Sequence, residues 1–251
     1  MPTLIKNVAR RLKRLVRSDV TKHRGVTIPA KHLRYGGSHF IDNEDFLHSG
    51  EREAMRLQGE FGLRKGSALL EIGCGPGRLS IGILNTIGEL RAYRGVDVSK
   101  VAIDWCKKHI EQKYPTFQFF HADFKNDRYN PEGTKAIVLP FPDQAFDIIY
   151  LYSVFSHMKT PDIRAYLNEF KRLLKPTGSI FLTAFIEENV PEMEENPADY
   201  KQDWKGALHC VRYDKAHFEK LVGEFGFAIE KYKQGVETDG QSSLILMKSS
   251  S

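Results

Sequence analysis

The chain has no apolar stretch long enough to cross a bilayer: runs such as "SIFLTAF" fall far short of the roughly 20 residues a spanning helix needs. Cysteine is scarce. Cys74, Cys106 and Cys210 form neither a CxxC pair nor a metal-ligand spacing, and an odd number argues against a disulfide framework. These shortages lead us to expect a reducing, cytoplasmic setting and no metal site. Repeats and low-complexity tracts are also missing, apart from the terminal serines. What remains is the profile of an ordinary globular chain, with 251 residues, 41% of them apolar and 27% charged. That length suits one core with an appendage.

Acidic residues are missing from the first 17 positions, which carry Lys6, Arg10, Arg11, Lys13, Arg14 and Arg17. These six cations exceed the net charge of +5 for the whole chain, so the rest is close to neutral. The basic balance therefore gives no reason to expect that the body binds nucleic acid. In the same segment Leu4, Ile5, Val8, Leu12, Leu15 and Val16 fall on one helical stripe. Two readings stay open for it: a helix docked on the main domain, or one in peripheral contact with an anionic membrane surface through residues 3–17.

From "SALLEI" at residue 67 the pattern becomes regular. Strand-like runs at 68–72, 91–97, 117–122, 146–152 and 179–186 alternate with helical patterns at 77–88, 99–113 and 161–174. Such alternation is the mark of βαβ units around a parallel sheet. After a further helix, "AIEKYKQ" and "SSLILMK" read as an antiparallel hairpin across "GVETDGQ". The expected fold is thus α/β: a doubly wound, mostly parallel sheet of seven strands with a C-terminal antiparallel hairpin. Residues 1–60 are expected to form a basic helical extension or cap, in which Asp42 or Asn43 starts a helix. Two long segments, 124–145 and 186–212, interrupt the alternation and read as loops or lids.

The loop "LLEIGCGPGRLS" carries Gly73, Gly75 and Gly77, with Arg78 in the place of the third glycine of a dinucleotide fingerprint. No GK[ST] follows, which excludes a phosphate loop. Instead, acids stand at three successive strand ends: Glu71, Asp97 and Asp123. A carboxylate suits an ammonium group, bridges the two hydroxyls of a ribose, or accepts from an exocyclic amine. One sugar-base ligand with a cationic tail would use all three.

These motifs resemble the class I S-adenosylmethionine-dependent methyltransferases. "LLEIGCGPGRLS" is similar to their glycine motif, "YRGVDVS" to their ribose strand and "FFHADF" to their adenine contact. "FDIIYLYSVFSHM" and "LKPTGSIFLT" are similar to their fourth and fifth strands, and the likeness spans roughly residues 61–248. It implies a Rossmann-like fold and S-adenosylmethionine as cofactor, with S-adenosylhomocysteine as product. It also implies that Glu71 and the loop residues Gly73, Cys74, Gly75 and Gly77 serve the methionine end. Asp97 would take the ribose, Val98 one adenine face, and Asp123 with Phe124 the adenine edge, and Leu151 on the fourth strand would join the cofactor set.

Methyl transfer to a hydroxyl needs an aligned nucleophile and a base. His157, just after the fourth strand, is the candidate base, and the same residue would equally serve as a packing or capping histidine. Glu187 and His209 are weaker candidates. The fourth strand lacks the [DN]PP[YF] pattern of enzymes that methylate planar amines. Aromatic, proline-bearing stretches "LRYGGSHFIDNEDFL", "YNPEGTKAIVLPFPD" and "MEENPADYKQDWKGALHCVRY" would wall a pocket for a partly apolar small molecule or a sugar. We expect O-methylation of a glycan, glycolipid or secondary metabolite. An RNA or protein methyltransferase that reaches a polyanion through the basic helix, and a cofactor-binding module without catalysis, are the alternatives.

Overall fold

A computed structural model describes residues 18–249, apart from 36, 135 and 201–204. The basic stripe expected at 3–17 lies outside the described residues. A short hairpin, β1 (Val20–His23) and β2 (Val26–Pro29), turns at Arg24 and Gly25, both with positive φ. No pattern in this stretch points to it. Next comes α1 (Asn43–Phe61), whose cap is Asp42: its carboxylate accepts from the amides of Glu44 and Asp45. Left-handed Gly62 ends the helix.

The alternating units follow as β3 (Ala68–Ile72), α2 (Arg78–Thr86), β4 (Ala92–Asp97), α3 (Lys100–Cys106), β5 (Phe117–His121), β6 (Phe146–Leu151), α4 (Thr160–Leu173) and β7 (Leu174–Glu187). The chain closes with β8 (Met193–Glu195), β9 (Val211–Asp214), α5 (Lys215–Gly223), β10 (Phe227–Lys233) and β11 (Ser242–Lys248). The main path of the sheet runs β10-β11-β7-β6-β3-β4-β5. Its inner pairs are parallel, while β11 on β7 and β10 on β11 are antiparallel. These are the seven strands the pattern predicts. The structure adds β9, parallel to β7, and β8, antiparallel to β9. Both lie in the segment expected to be loop.

Two boundaries differ from expectation. The fifth parallel strand, expected from 179, starts at Leu174, directly from α4, and shifts register between Phe146 and Ile148 on its neighbour. The helix α4, expected from 161, starts at Thr160 with Lys159 in the cap position.

β3 is buried along its whole length, so its side chains feed two cores. Leu70 and Ile72 pack with α4 and α5 on one face, through Ile163, Leu167, Phe170 and Phe218. Leu69 packs on the other face with Tyr93, Phe117 and Ile148, under Phe46, Ala54 and Leu57 of α1. Truncating such a fully buried leucine to alanine costs about 2–5 kcal/mol. The helices α1 and α2 touch backbone to backbone: a Cβ on Gly82 would lie 2.2 Å from the carbonyl of Gly50. No helix among the described residues is long and apolar enough to cross a membrane.

Candidate functional site

The strand order reverses beside β3, and in open α/β sheets ligands settle outside the carboxyl ends of the strands at such a point. A cavity of about 580 Å³ opens there. At its base the loop after β3 is pinned to β4, since the amides of Gly73 and Cys74 donate to Val96 O at 2.8 and 3.1 Å. Left-handed Gly77 then caps α2. A Cβ at that position would meet Ile110 Cδ1 at 2.8 Å and Ser80 Oγ at 2.9 Å, so its missing side chain lets the loop close against α3.

Asp97 ends β4 with only 7% of its surface exposed. One carboxylate oxygen accepts from Gly75 N and the other from Ser99 N, both at 2.7 Å, with the Tyr35 hydroxyl at 3.4 Å. Burial raises its pKa, against the pull of those two amides. Glu71 is buried at the end of β3 and accepts a hydrogen bond from the Tyr93 hydroxyl. Desolvation pushes this carboxyl up to about 8, although Tyr93 and the guanidinium of Arg78 pull the other way.

The expected cofactor residues divide. Glu71, Gly73, Cys74, Gly75, Asp97 and Val98 line the cavity. Gly77, Asp123, Phe124 and Leu151 do not. Gly77 faces α3, Leu151 is fully buried in the core, and Phe124 packs edge-on to Tyr166 at 6.2 Å. The Asp123 carboxylate accepts from Asn130 Nδ2 at 3.1 Å and Thr134 Oγ1 at 3.5 Å, closing the loop that follows β5.

His157 lines the opposite end. Its Nδ1 lies 2.9 Å from Leu208 O, and because a carbonyl only accepts, Nδ1 carries the proton. Burial lowers its pKa to about 4, so at neutral pH the ring is uncharged and Nε2 holds a lone pair. Around it stand Tyr129, with ring centroid 5.4 Å away, and Met158, Ser153 and Phe185. His209 also lines this end, whereas Glu187 does not.

The three aromatic stretches reach the cavity through Tyr35, Phe40 and Phe46 of the first, Tyr129 of the second and His209 of the third. Elsewhere the second stretch serves as scaffold, since Arg172 donates to Leu139 O at 3.0 Å and to Phe141 O at 2.6 Å.

A family model described as a methyltransferase domain matches residues 69–178. The 27-O-demethylrifamycin SV methyltransferase of Amycolatopsis mediterranei is 30% identical over 161 residues, 64% of this chain and 54% of that protein. The demethylmenaquinone methyltransferase of Bacillus licheniformis is 30% identical over 129 residues, 51% of this chain and 48% of that protein. Residues 69–178 thus match a methyltransferase domain, and the chain is similar to the class I S-adenosylmethionine-dependent methyltransferases. It spans about half the length of the curated relatives it matches. In fold, the chain is similar to the magnesium protoporphyrin IX methyltransferase of Synechocystis PCC 6803 solved with bound S-adenosylmethionine. The TM-score is 0.56 at 14% identity, covering 87% of this chain and 88% of that one.

The cofactor that these similarities imply is S-adenosylmethionine, and the donor set of the cavity fits it. Glu71, a buried carboxyl pushed up to about 8, would ionise beside a docked ammonium group. Several features of the cavity were not legible. Tyr35 belongs to a stretch expected to wall the pocket, but its meeting with Asp97 across 62 positions of sequence had no signal. Arg78 places its guanidinium 5.2 Å from the Phe40 ring and 5.5 Å from the Tyr152 ring. Its place where a fingerprint glycine would stand was the available signal. Arg128, Thr238 and Gln241 had none, because only the folded chain brings their segments to the cavity.

Proposed function

We propose that this methyltransferase moves the methyl group of S-adenosylmethionine to a hydroxyl of a small molecule, a glycan, glycolipid or secondary metabolite, with His157 as the base. The bound sulfonium supplies an electrophilic methyl group. Glu71 and the amides of Gly73, Cys74 and Gly75 hold the methionine end, while Asp97 takes the ribose hydroxyls. Val98 covers one adenine face, and Gly77 and Leu151 shape the loop and strand behind. His157 Nε2 accepts the hydroxyl proton as the acceptor oxygen becomes nucleophilic.

The observation that carries this reading is the hydrogen bond from His157 Nδ1 to Leu208 O, which fixes the tautomer with its basic nitrogen unprotonated. The tyrosines and Phe185 around it suit a partly apolar acceptor. Relatives named for 27-O-demethylrifamycin SV and demethylmenaquinone support a small molecule. Residues 1–60 act in this reading as a cap on the domain of residues 61–251, in the cytoplasm, with residues 3–17 touching an anionic membrane surface.

The test has two stages. Calorimetry with S-adenosylmethionine establishes the cofactor site, and a screen of hydroxylated small molecules, RNA and protein follows methyl transfer. Transfer confined to RNA or protein would overturn the assignment. Loss of vesicle binding on deleting residues 1–17, with activity on a soluble acceptor retained, separates the membrane role from the chemistry.

A further inference from the structure

Arg128, on the segment that follows β5, borders the acceptor end of the cavity with its hydrogen bonding incomplete. Its Nε is buried without a hydrogen-bond partner. One terminal nitrogen donates to Lys205 O at 3.3 Å, and the guanidinium carbon stands 5.4 Å from the centroid of the Tyr129 ring. Among the described residues it forms no ion pair. A buried donor left unpaired on a charged group is costly to keep and is offset when a ligand supplies the acceptor.

Two other arginines show what a purely structural role looks like here. Arg172 spends its donors on Leu139 O, Phe141 O, Glu169 and Asp143. Arg212 also has an unpartnered Nε, yet Glu187, Glu194 and Asp199 surround it and neutralise its charge. Arg128 alone of the three faces the cavity, and its charge is unmatched.

Its placement is tied to His157. The buried Asn126 accepts from Arg128 N at 3.1 Å and Tyr129 N at 3.0 Å, and its Nδ2 donates to His157 O at 3.1 Å. One side chain therefore fixes both backbones. Across the opening, His209 Nδ1 accepts from Lys205 N at 2.7 Å, so its neutral ring carries the proton on Nε2. Asp239 is the carboxylate on this wall, and Arg128 makes no ion pair with it.

The geometry points to an anion subsite: Arg128 binds an acidic group of the acceptor, a carboxylate or a phosphate, next to the hydroxyl that His157 deprotonates. A planar guanidinium fork suits either group in two-pronged fashion. The subsite rests on the reading of this end as the acceptor site. It narrows the acceptor to an acidic hydroxyl compound, and it sets Arg128 against the developing oxyanion when the proton leaves.

The ring resonances of His157 and His209 report on the subsite without a known acceptor. Sodium benzoate and inorganic phosphate are titrated separately into the 15N-histidine-labelled full chain at constant pH and ionic strength. The expected result is a saturable shift of both rings with at least one anion, weakened about tenfold or more in Arg128→Gln. Saturation by benzoate alone assigns a carboxylate, and saturation by phosphate alone assigns a phosphate. Shifts that never saturate with either anion, or that saturate equally in the variant, overturn the subsite. Arg128→Met, which keeps the aliphatic stem, repeats the test if the glutamine variant does not fold. Calorimetry with S-adenosylmethionine runs in parallel on the same samples. Absent cofactor binding with intact anion saturation sinks the methyltransferase reading alone, and the converse sinks the subsite alone.

Discussion

At the cofactor end of the cavity, Glu71, Gly75 and Asp97 come from two adjacent strands and the turn between them, and backbone amides hold the carboxylate of Asp97 at 2.7 Å. At the acceptor end, Arg128, His157, His209 and Gln241 come from four separate segments, joined by side chains such as Asn126 that reach across loops. The first construction inherits its geometry from the sheet. The second exists only once the long segments have docked. A strand end cannot move without disturbing two cores, whereas a loop wall can be re-formed residue by residue. The molecule thus separates a rigid seat from an adjustable one, and function assigned to each end should fail in different ways.

The sharpest break is expected at the adjustable end. His157→Gln should lower kcat on a hydroxyl acceptor by about 10²- to 10⁴-fold, the usual contribution of a general base, while cofactor affinity stays put. Steady-state kinetics beside calorimetry checks both halves, and a matching loss of cofactor binding would erase the contrast between the ends. The pH profile carries the same information. At saturating S-adenosylmethionine, kcat should persist well below pH 6.5 and fall as His157 is protonated near its lowered pKa of about 4.

Next in size is Asp97→Ala, which removes the proposed acceptor of two ribose hydroxyls and the observed acceptor of two backbone amides. Charge-assisted hydrogen bonds of about 1.5 kcal/mol each imply a loss of roughly 100-fold in S-adenosylmethionine affinity. Unchanged affinity would place the ribose elsewhere. A third variant, Gly82→Ala, drives a methyl group into the Gly50 carbonyl and should cost about 1–3 kcal/mol of stability, read from denaturant unfolding.

Smallest, and most specific, is the proton count. Glu71 is largely protonated at pH 7 in the free protein, since its pKa stands near 8. An ammonium beside it favours the ionised form, so binding should release a proton. Affinity should then rise with pH by up to about tenfold per unit until pH 8 and level off above it. Calorimetry in buffers of different ionisation enthalpy measures the release, which Glu71→Gln should abolish. The same raised pKa makes the fold lose stability as pH climbs from about 4.5 toward 8, because only the folded state keeps that proton.

The two ends also differ in how far the sequence discloses them. The apolar run of β3, the glycine turn and Asp97 are local signals, and hydrophobic period and strand-end position suffice to place them. Leu151 shows the limit of the method: its motif falls on the right strand, yet alternation turns it into the core, while Phe124, beyond the end of β5, packs there against Tyr166. The hairpin at Val20–Pro29 escaped because its Arg24-Gly25 turn lacks the Asn-Gly or Asp-Gly signature. β8 escaped because "MEE" reads as an acidic loop until Arg212 of β9 pairs with Glu194. Arg128 and Gln241 have no local signature, since their meaning lies in what the fold sets opposite them.

The contact between Gly50 and Gly82 bears on how such a protein can change over generations. Two helices that meet through bare backbone leave no room for any other side chain on either partner, and no compensating substitution exists across the contact, because neither residue can become smaller. A library randomised at both positions should return glycine at each. Loops 124–145 and 187–210, anchored by replaceable side chains, remain open to variation. Selection for a new acceptor would therefore rewrite one wall of the cavity while the opposite wall is inherited intact.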